Sequence, residues 1–156
     1  MKLAALCCGL ALSIGCGQGF GITTPKGFAN LSEVERQYPY DYRATSAEGV
    51  VLAVRRMPRE PRDAEPSFWM EAVENELRLR GGYALLDKRE VTAKNGTRGL
   101  RLRFGHDQDG KPYVYEVTLY VGAEHLVLVE TGGRKDAYDR HEAALAASVA
   151  GLELRD

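Results

Sequence analysis

The sequence predicts an α+β domain in which an antiparallel sheet of about six strands is covered by helices. Three observations carry this prediction. Short apolar runs with strand-like character recur between Tyr40 and Thr131, and polar or Gly-rich turns separate them. A helical pattern interrupts these runs around Trp69, and a second one begins near Lys135. This order is typical of one sheet with helices packed on it.

The start of the chain has the pattern of a secretory signal peptide, residues 1–15. Lys2 supplies a basic start, residues 3–14 carry no charged side chain, and small residues follow. The apolar run is shorter than the roughly 20 residues of a membrane-spanning helix. The stretch LSIGC, which ends at Cys16, resembles the lipobox of bacterial lipoproteins. The resemblance implies that the chain is cut before Cys16 and that this cysteine is acylated. A signal peptide cut nearby, with Cys16 left as a free thiol, is the alternative.

The lipobox resemblance also implies a location in the cell envelope. An acylated Cys16 would carry more than one chain, which is enough for lasting membrane attachment. Gly17, rather than Asp, follows the cysteine; the sorting rule known for some Gram-negative lipoproteins then implies the outer membrane. Residues 17–25 are rich in Gly and Thr, which predicts a flexible tether from Cys16 to a single domain at 26–156. That domain contains no cysteine, so disulfides cannot stabilise it.

Length and charge exclude some classes of function. Removal of residues 1–15 leaves 141 residues, enough for one domain with its own core. Lys2 leaves with them, so the 21 basic residues become 20 against 22 acidic ones, a net charge of −2. The locally basic run RRMPREPR at 55–62 is interrupted by Glu60 and followed by acidic residues. We therefore expect no nucleic-acid partner.

The domain opens with a predicted hairpin. Strand-like runs at 40–45 and 50–55 flank the turn-forming cluster SAEG. Apolar residues occupy every position from 50 to 54, so both faces of the second strand are apolar. This indicates a strand near the centre of a sheet that is covered on both sides.

The stretch SFWMEAVENELRLRGG, residues 67–82, predicts a helix. Trp69, Val73 and Leu77 recur at helical spacing and form its apolar face. Pro66 suits a first helical turn, and two glycines mark the end. The place of Trp69 on the apolar face indicates a core residue rather than a ligand platform.

Four further strands and a last helix complete the prediction. The strands are 83–93, with a break near Asp87, then 99–105, 113–122 and 125–131. In the second of these, Leu and Phe alternate with Arg, which predicts a half-buried strand with a basic solvated face. The helix runs roughly from Lys135 to Leu152 and carries an Ala-rich flank that permits close packing.

This order of elements resembles a known fold. The start PKGF, the early hairpin, the Trp-bearing helix ending in GGY, the further strands and the C-terminal helix are similar to the PsbP-like α/β/α sandwich. Several exported bacterial lipoproteins have that fold. The resemblance covers roughly Pro25 to Leu154. It implies an accessory or binding protein without catalysis, and it supplies no catalytic residues.

Few residues suit a metal or a reaction. The stretch GHDQDGKPY, with Asp107 and Asp109, partly matches a calcium loop, but Lys and Pro follow where more oxygen ligands are needed. A polar hairpin turn explains it better. The three histidines match no local zinc spacing, and no serine lies in a G-x-S-x-G elbow. We expect no metal, no cofactor and no enzymatic activity.

Two stretches are candidate binding surfaces. In ETGGRK, two glycines precede Arg134 and Lys135, so backbone N–H groups and positive charge could meet an anion there. A loop whose glycines adopt positive φ explains the same residues. In YPYDY, Tyr38, Tyr40 and Tyr42 suit contacts with a protein, because tyrosine joins apolar area to a polar tip.

Two functions remain open. The first is a lipid-anchored, non-catalytic interaction module that offers a surface to an unknown protein of the cell envelope. The second is a carrier of a small ligand, with a pocket between sheet and helix lined by Trp69, Phe104 and Tyr115. A filled core would favour the first function, and an enclosed apolar cavity the second.

Overall fold

The computed structural model describes residues 19–34, 39–79 and 82–155 of the chain. The predicted signal peptide, the predicted acylation site at Cys16 and the candidate contact Tyr38 lie outside these ranges. In chain order, the described elements are β1 (Phe20–Gly21), β2 (Phe28–Asn30), β3 (Tyr42–Ser46), β4 (Val51–Pro58), α1 (Pro66–Leu79), β5 (Ala84–Thr92), β6 (Arg98–Gln108), β7 (Lys111–Val121), β8 (His125–Arg134), α2 (Lys135–Ala150) and β9 (Glu153–Leu154).

Seven of these strands form one sheet in the order β2-β3-β4-β8-β7-β6-β5, and every neighbouring pair is antiparallel. The α+β class predicted from the sequence is therefore confirmed. Within this sheet, the strand that the prediction lacks is β2, whose three residues are too few to show a periodicity. The predicted position of β4 is also confirmed, because it lies inside the sheet between β3 and β8.

Helix α2 covers one face of the sheet. Tyr138 and Leu145 on α2 form a buried cluster with Leu52 and Val129 of the central strands. The Tyr138 Oη and Thr131 Oγ1 atoms lie 2.9 Å apart, so the polar tip of this buried tyrosine has a hydrogen-bond partner. This layer is the main core of the domain.

Helix α1 lies on the opposite face and packs much less deeply. Its predicted apolar face is confirmed, since Trp69, Val73 and Leu77 pack against buried side chains of β7 and β8. However, α1 has no fully buried residue, and Trp69 is only half-buried. Neither α1 nor α2 has the length and apolar character that crossing a membrane requires.

The predicted tether differs from the structure in its last residues. Phe20 is only 2% exposed and belongs to the main core, and β1 pairs with β9 at the other end of the chain. The stretch is rich in Gly and Thr, but it also contains two apolar residues, Phe20 and Ile22, that pack on the domain. The part of residues 17–25 that can act as a tether therefore ends before β1.

Turns and irregularities follow the local sequence. The predicted break near Asp87 is a register shift between Leu85 and Asp87. The stretch GHDQDGKPY forms the β6–β7 hairpin turn, in which Asp109 and Gly110 have positive φ and Asp107 Oδ1 accepts a hydrogen bond from the Gly110 N–H. The hairpin interpretation of this stretch is confirmed.

Replacement of Tyr42 by Phe tests whether the segment after β1 belongs to the domain. Tyr42 is buried, and its hydroxyl donates a hydrogen bond of 2.8 Å to Thr24 Oγ1. We expect the variant to lose about 1 kcal/mol of the free energy of unfolding, measured by urea denaturation. Tyr113→Phe, on the half-exposed surface, is the control. Equal stability of both variants would show that Thr24 is not held to the sheet.

Candidate functional site

A groove lies on the α1 face of the sheet, beyond the end of α1. Its walls carry four tyrosines, and its floor is made of small residues. The walls include Tyr40, Tyr83, Tyr113 and Tyr115, and the floor includes Val51, Ala53 and Gly132. The cavity has a volume of about 320 Å³ and opens to solvent. We call it the tyrosine groove.

Strand register brings these residues together. Val51 of β4 is opposite Gly132 of β8, and Gly132 is opposite Tyr115 of β7. A Cβ atom on Gly132 would lie 3.2 Å from the Val114 carbonyl oxygen and 3.3 Å from the Tyr115 ring. Because glycine has no side chain, the groove is deeper at this position and the Tyr115 ring can lie across its floor.

A carboxylate lies at the base of the groove. Glu130 on β8 is only 9% exposed. One of its oxygens, Oε2, accepts hydrogen bonds from the hydroxyls of Tyr40 (3.2 Å) and Tyr115 (3.0 Å). Its other oxygen, Oε1, lies 3.5 Å from Arg55 Nη2. A buried carboxylate is costly unless it is paired and hydrogen-bonded, and this one is both.

The two hydroxyls act as donors because they stay protonated. Burial raises the pKa of Tyr115 far above its usual range, and the negative charge of Glu130 raises it further. Burial and then Glu130 also raise the pKa of Tyr40. Neutral phenols at this position can bind polar groups of a partner but are poor bases and poor nucleophiles.

Aromatic rings form one side of the groove. The Tyr83 and Tyr115 ring centroids are 5.3 Å apart at an interplanar angle of 37°, and the His106 ring lies 5.2 Å from Tyr83. Behind them Phe104 is fully buried and contacts Tyr83 edge to face. The wall is thus backed by the core rather than by solvent.

A second cavity, the α1 cleft, lies between α1 and the sheet and shares Tyr115 and Glu130 with the tyrosine groove. Its volume is about 370 Å³, and most of its lining is apolar, including Trp69, Leu126 and Leu128. The Trp69 Nε1 atom is buried without a hydrogen-bond partner. Two of the three residues predicted to line a ligand pocket lie here, Trp69 and Tyr115, whereas Phe104 is part of the core below.

The other residues predicted to bind a partner, Tyr42, Arg134 and Lys135, do not line this site. Tyr42 points into the core, so its ring is not a surface contact. Gly132 and Gly133 belong to β8 and lack positive φ, so in the stretch ETGGRK a strand runs directly into α2 at Lys135, with no loop between them. Arg134 makes two hydrogen bonds to Asp136, and Lys135 makes one to Asp139. An anion at this point would have to compete with these aspartates.

Sequence reasoning found Tyr40 and Tyr115 but not the carboxylate that joins them. The signal was present, because Glu130 interrupts the apolar run LVLVET of a strand, and a charged residue in such a run is seldom buried without a purpose. The described residues contain no group of three or more His, Cys, Asp or Glu side chains that could hold a metal ion. His141 instead lies 3.0 Å from Glu48.

Burial of tyrosine predicts a loss of stability in alkali. It raises the pKa of five tyrosines in the described ranges: Tyr40, Tyr42, Tyr115, Tyr120 and Tyr138. The unfolded chain releases these protons near pH 10 while the folded chain keeps them, so the free energy of unfolding should fall as the pH rises above about 10. Urea denaturation at about pH 8 and pH 10.5 measures this fall, and Tyr115→Phe should reduce it. Full ionisation of the native tyrosines near pH 10, seen by absorbance, would contradict the prediction.

Comparison with known proteins bears on the fold. No protein-family model matches the chain, and no curated protein sequence matches it. Similar solved structures include LpqN, which is involved in cell envelope biogenesis of Mycobacterium tuberculosis; the TM-score is 0.69 at 12% identity, over 88% of this chain and 83% of LpqN. They also include cyanobacterial PsbP from Synechocystis sp. PCC 6803, with a TM-score of 0.57 at 9% identity, over 87% of this chain and 86% of that one. The protein PA94 from Pseudomonas aeruginosa has a TM-score of 0.55 at 12% identity, over 91% and 88% of the two chains. The PsbP-like fold predicted from the sequence is therefore confirmed.

Proposed function

We propose that the chain is a lipid-anchored, non-catalytic binding module of the cell envelope, and that the tyrosine groove receives its protein partner. One observation carries this proposal: an open groove in which tyrosines surround a paired, buried carboxylate. Tyrosine is enriched at protein interfaces because it combines a large rigid area with a polar tip. The groove is open rather than enclosed, which suits a partner's surface better than a sequestered small molecule.

The location in the envelope rests on two independent supports. The first is the resemblance of LSIGC to a lipobox, which implies an acylated Cys16. The second is the similarity of the fold to that of LpqN, a protein involved in cell envelope biogenesis. Attachment to the outer membrane rests on Gly17 and the sorting rule alone.

The absence of catalysis is supported by the chemistry of the groove. The Tyr40 and Tyr115 hydroxyls are committed as donors to Glu130, and the raised pKa values keep them neutral. Glu130 in turn has Arg55 beside it. A carboxylate that is paired with a cation, together with phenols that stay protonated, can bind a partner but offers no activated base or nucleophile.

Photo-crosslinking in the native organism tests the proposal. A benzoylphenylalanine placed at Tyr113, on the rim of the groove, should give one discrete adduct with a protein. The same probe at Phe68, an exposed aromatic residue on α1 outside the groove, is the matched control. Val51→Phe should fill the floor of the groove and abolish the Tyr113 adduct without changing the melting temperature. Adducts of the same protein from both positions, or an adduct that survives Val51→Phe, would reject the groove as the binding site.

A small-ligand carrier is the second candidate, and the α1 cleft favours it. The cleft is mostly apolar, its helix packs loosely, and the Trp69 Nε1 donor is unpaired. Trp69 is the sole tryptophan of the chain, so its fluorescence reports directly on this cleft. A saturable shift of this fluorescence on addition of an apolar amphiphile, abolished by Leu128→Phe in the cleft wall, would support the carrier. An unchanged spectrum would reject it.

A further inference from the structure

Within the domain, the fold fixes the position of the tyrosine groove relative to the strand that follows the predicted anchor. Three residues, 17–19, separate Cys16 from Phe20, which is the first residue of β1. Four Cα-to-Cα steps span at most about 14 Å even when fully extended. If Cys16 carries the lipid, β1 therefore lies close to the membrane surface.

Strand β1 marks one end of the large sheet. The Gly19 carbonyl accepts a hydrogen bond of 2.9 Å from the Arg155 N–H, and Gly19 lies against the Arg56 guanidinium. Arg56 is opposite Val127, Val127 is opposite Tyr120, and Tyr120 is opposite Gly99. These four residues form a row across the sheet that we call the anchor row.

The groove lies at the other end of the same strands. Along β7, Tyr115 is five steps from Tyr120 of the anchor row, and Tyr113 is seven steps from it. At about 3.4 Å per residue, the groove is roughly 17 to 24 Å further along the strands. The turn at Lys111, beyond Tyr113, is further still.

The groove and the anchor also lie on opposite faces. Phe20 packs in the α2 layer with Leu145 and Leu152. Glu130 and Tyr115, in contrast, are on the α1 side, where they also line the α1 cleft. If the anchor row faces the membrane, the groove lies at the end of the domain that is far from it. If the α2 layer faces the membrane, the groove opens away from it.

We infer that the tyrosine groove faces away from the membrane that holds the anchor, and that its partner is a protein segment arriving through the aqueous space. This inference rests on the proposed lipidation of Cys16. We expect the side chain that this segment places in the groove to be neutral, because Arg55 and two hydroxyls already compensate Glu130, and a second charge would have no counter-charge. A lipid drawn directly from the anchoring bilayer would meet the wrong face and the wrong end of the domain.

Distance-dependent quenching tests the orientation with the acylated protein in vesicles of phosphatidylethanolamine and phosphatidylglycerol. The mature chain has no cysteine after Cys16, and acylation blocks that thiol, so an introduced cysteine is the single labelling site. Lys94→Cys and Lys111→Cys are a matched pair of exposed lysines, the first in a turn and the second directly after one. Lys94 lies near the anchor, since its Nζ is 3.3 Å from Glu153 of β9, whereas Lys111 is at the groove end.

With a nitroxide quencher on the lipid headgroups, the probe at 94 should lose most of its fluorescence and the probe at 111 should keep it. A linker of about 20 Gly and Ser residues between Gln18 and Gly19 should remove this difference, because it frees the domain from the surface. Vesicle flotation separates the two possible failures. A protein that does not float shows that the anchor itself is wrong. A protein that floats, but with position 111 quenched as strongly as 94 or with neither quenched, overturns the orientation alone.

Discussion

Replacement of Glu130 by alanine is expected to lower the free energy of unfolding by about 3 kcal/mol and the melting temperature by about 10 °C. The change leaves the Tyr40 and Tyr115 hydroxyls and the Arg55 guanidinium without their common acceptor. Removal of one partner from a buried charged cluster costs more than the cluster contributes, because the others remain desolvated. Urea and thermal denaturation followed by circular dichroism measure the loss.

Glu130→Gln is the matched control. Glutamine keeps the shape and one acceptor oxygen but removes the charge, so we expect about half of the loss. A double-mutant cycle with Tyr115→Phe should give a coupling energy of about 1 kcal/mol or more, because the two side chains are in direct contact. Independent, additive losses would mean that the hydroxyl and the carboxylate do not form the bond on which the groove depends.

Truncation of Phe104 to alanine is expected to destabilise the domain by about 3–5 kcal/mol. Phe104 is 0% exposed and forms one buried cluster with Leu100 and Leu102 under α1. Its ring also supports Tyr83, with the two centroids 6.1 Å apart. The cavity left by the truncation would therefore remove packing from the core and the backing from the groove wall at the same time.

Phe104→Leu separates these two effects. Leucine fills most of the volume and should cost roughly 1–2 kcal/mol, but it lacks the ring edge that meets Tyr83. We expect this variant to remain folded at 25 °C and to give less of the Tyr113 crosslink than the wild-type chain. An unchanged crosslink would show that the position of Tyr83 does not depend on Phe104.

The sequence predicted the layers of this fold well because its strands and helices have strong periodicity. The alternation of Leu100, Leu102 and Phe104 identifies the buried face of β6, and the spacing of Trp69, Val73 and Leu77 identifies the packed face of α1. Periodicity shows which face is apolar but not how deep it lies. The loose packing of α1, and with it the α1 cleft, was therefore beyond prediction.

The groove was harder to predict because its parts come from distant segments. Tyr40 precedes β3, Tyr115 lies in β7 and Glu130 in β8, and only the folded sheet brings them together. Gly132 shows the limit most clearly. A glycine before a helix suggests a turn, yet here it lies inside a strand, where a side chain would make tight contacts with the Val114 carbonyl oxygen and the Tyr115 ring. Only knowledge of the neighbouring strand reveals that reason.

The pairing of β1 with β9 has a consequence for how the chain reaches its final state. Phe20 lies opposite Leu154, so the first and last strands of the domain pair with each other. A chain that emerges with its N-terminus first, from a ribosome or through a translocation channel, cannot close this contact until residue 154 has appeared. Contacts between such distant residues form slowly because the loop between them must first be closed. Until then β1 lacks its strand partner, so this pairing is among the last contacts of the domain to form.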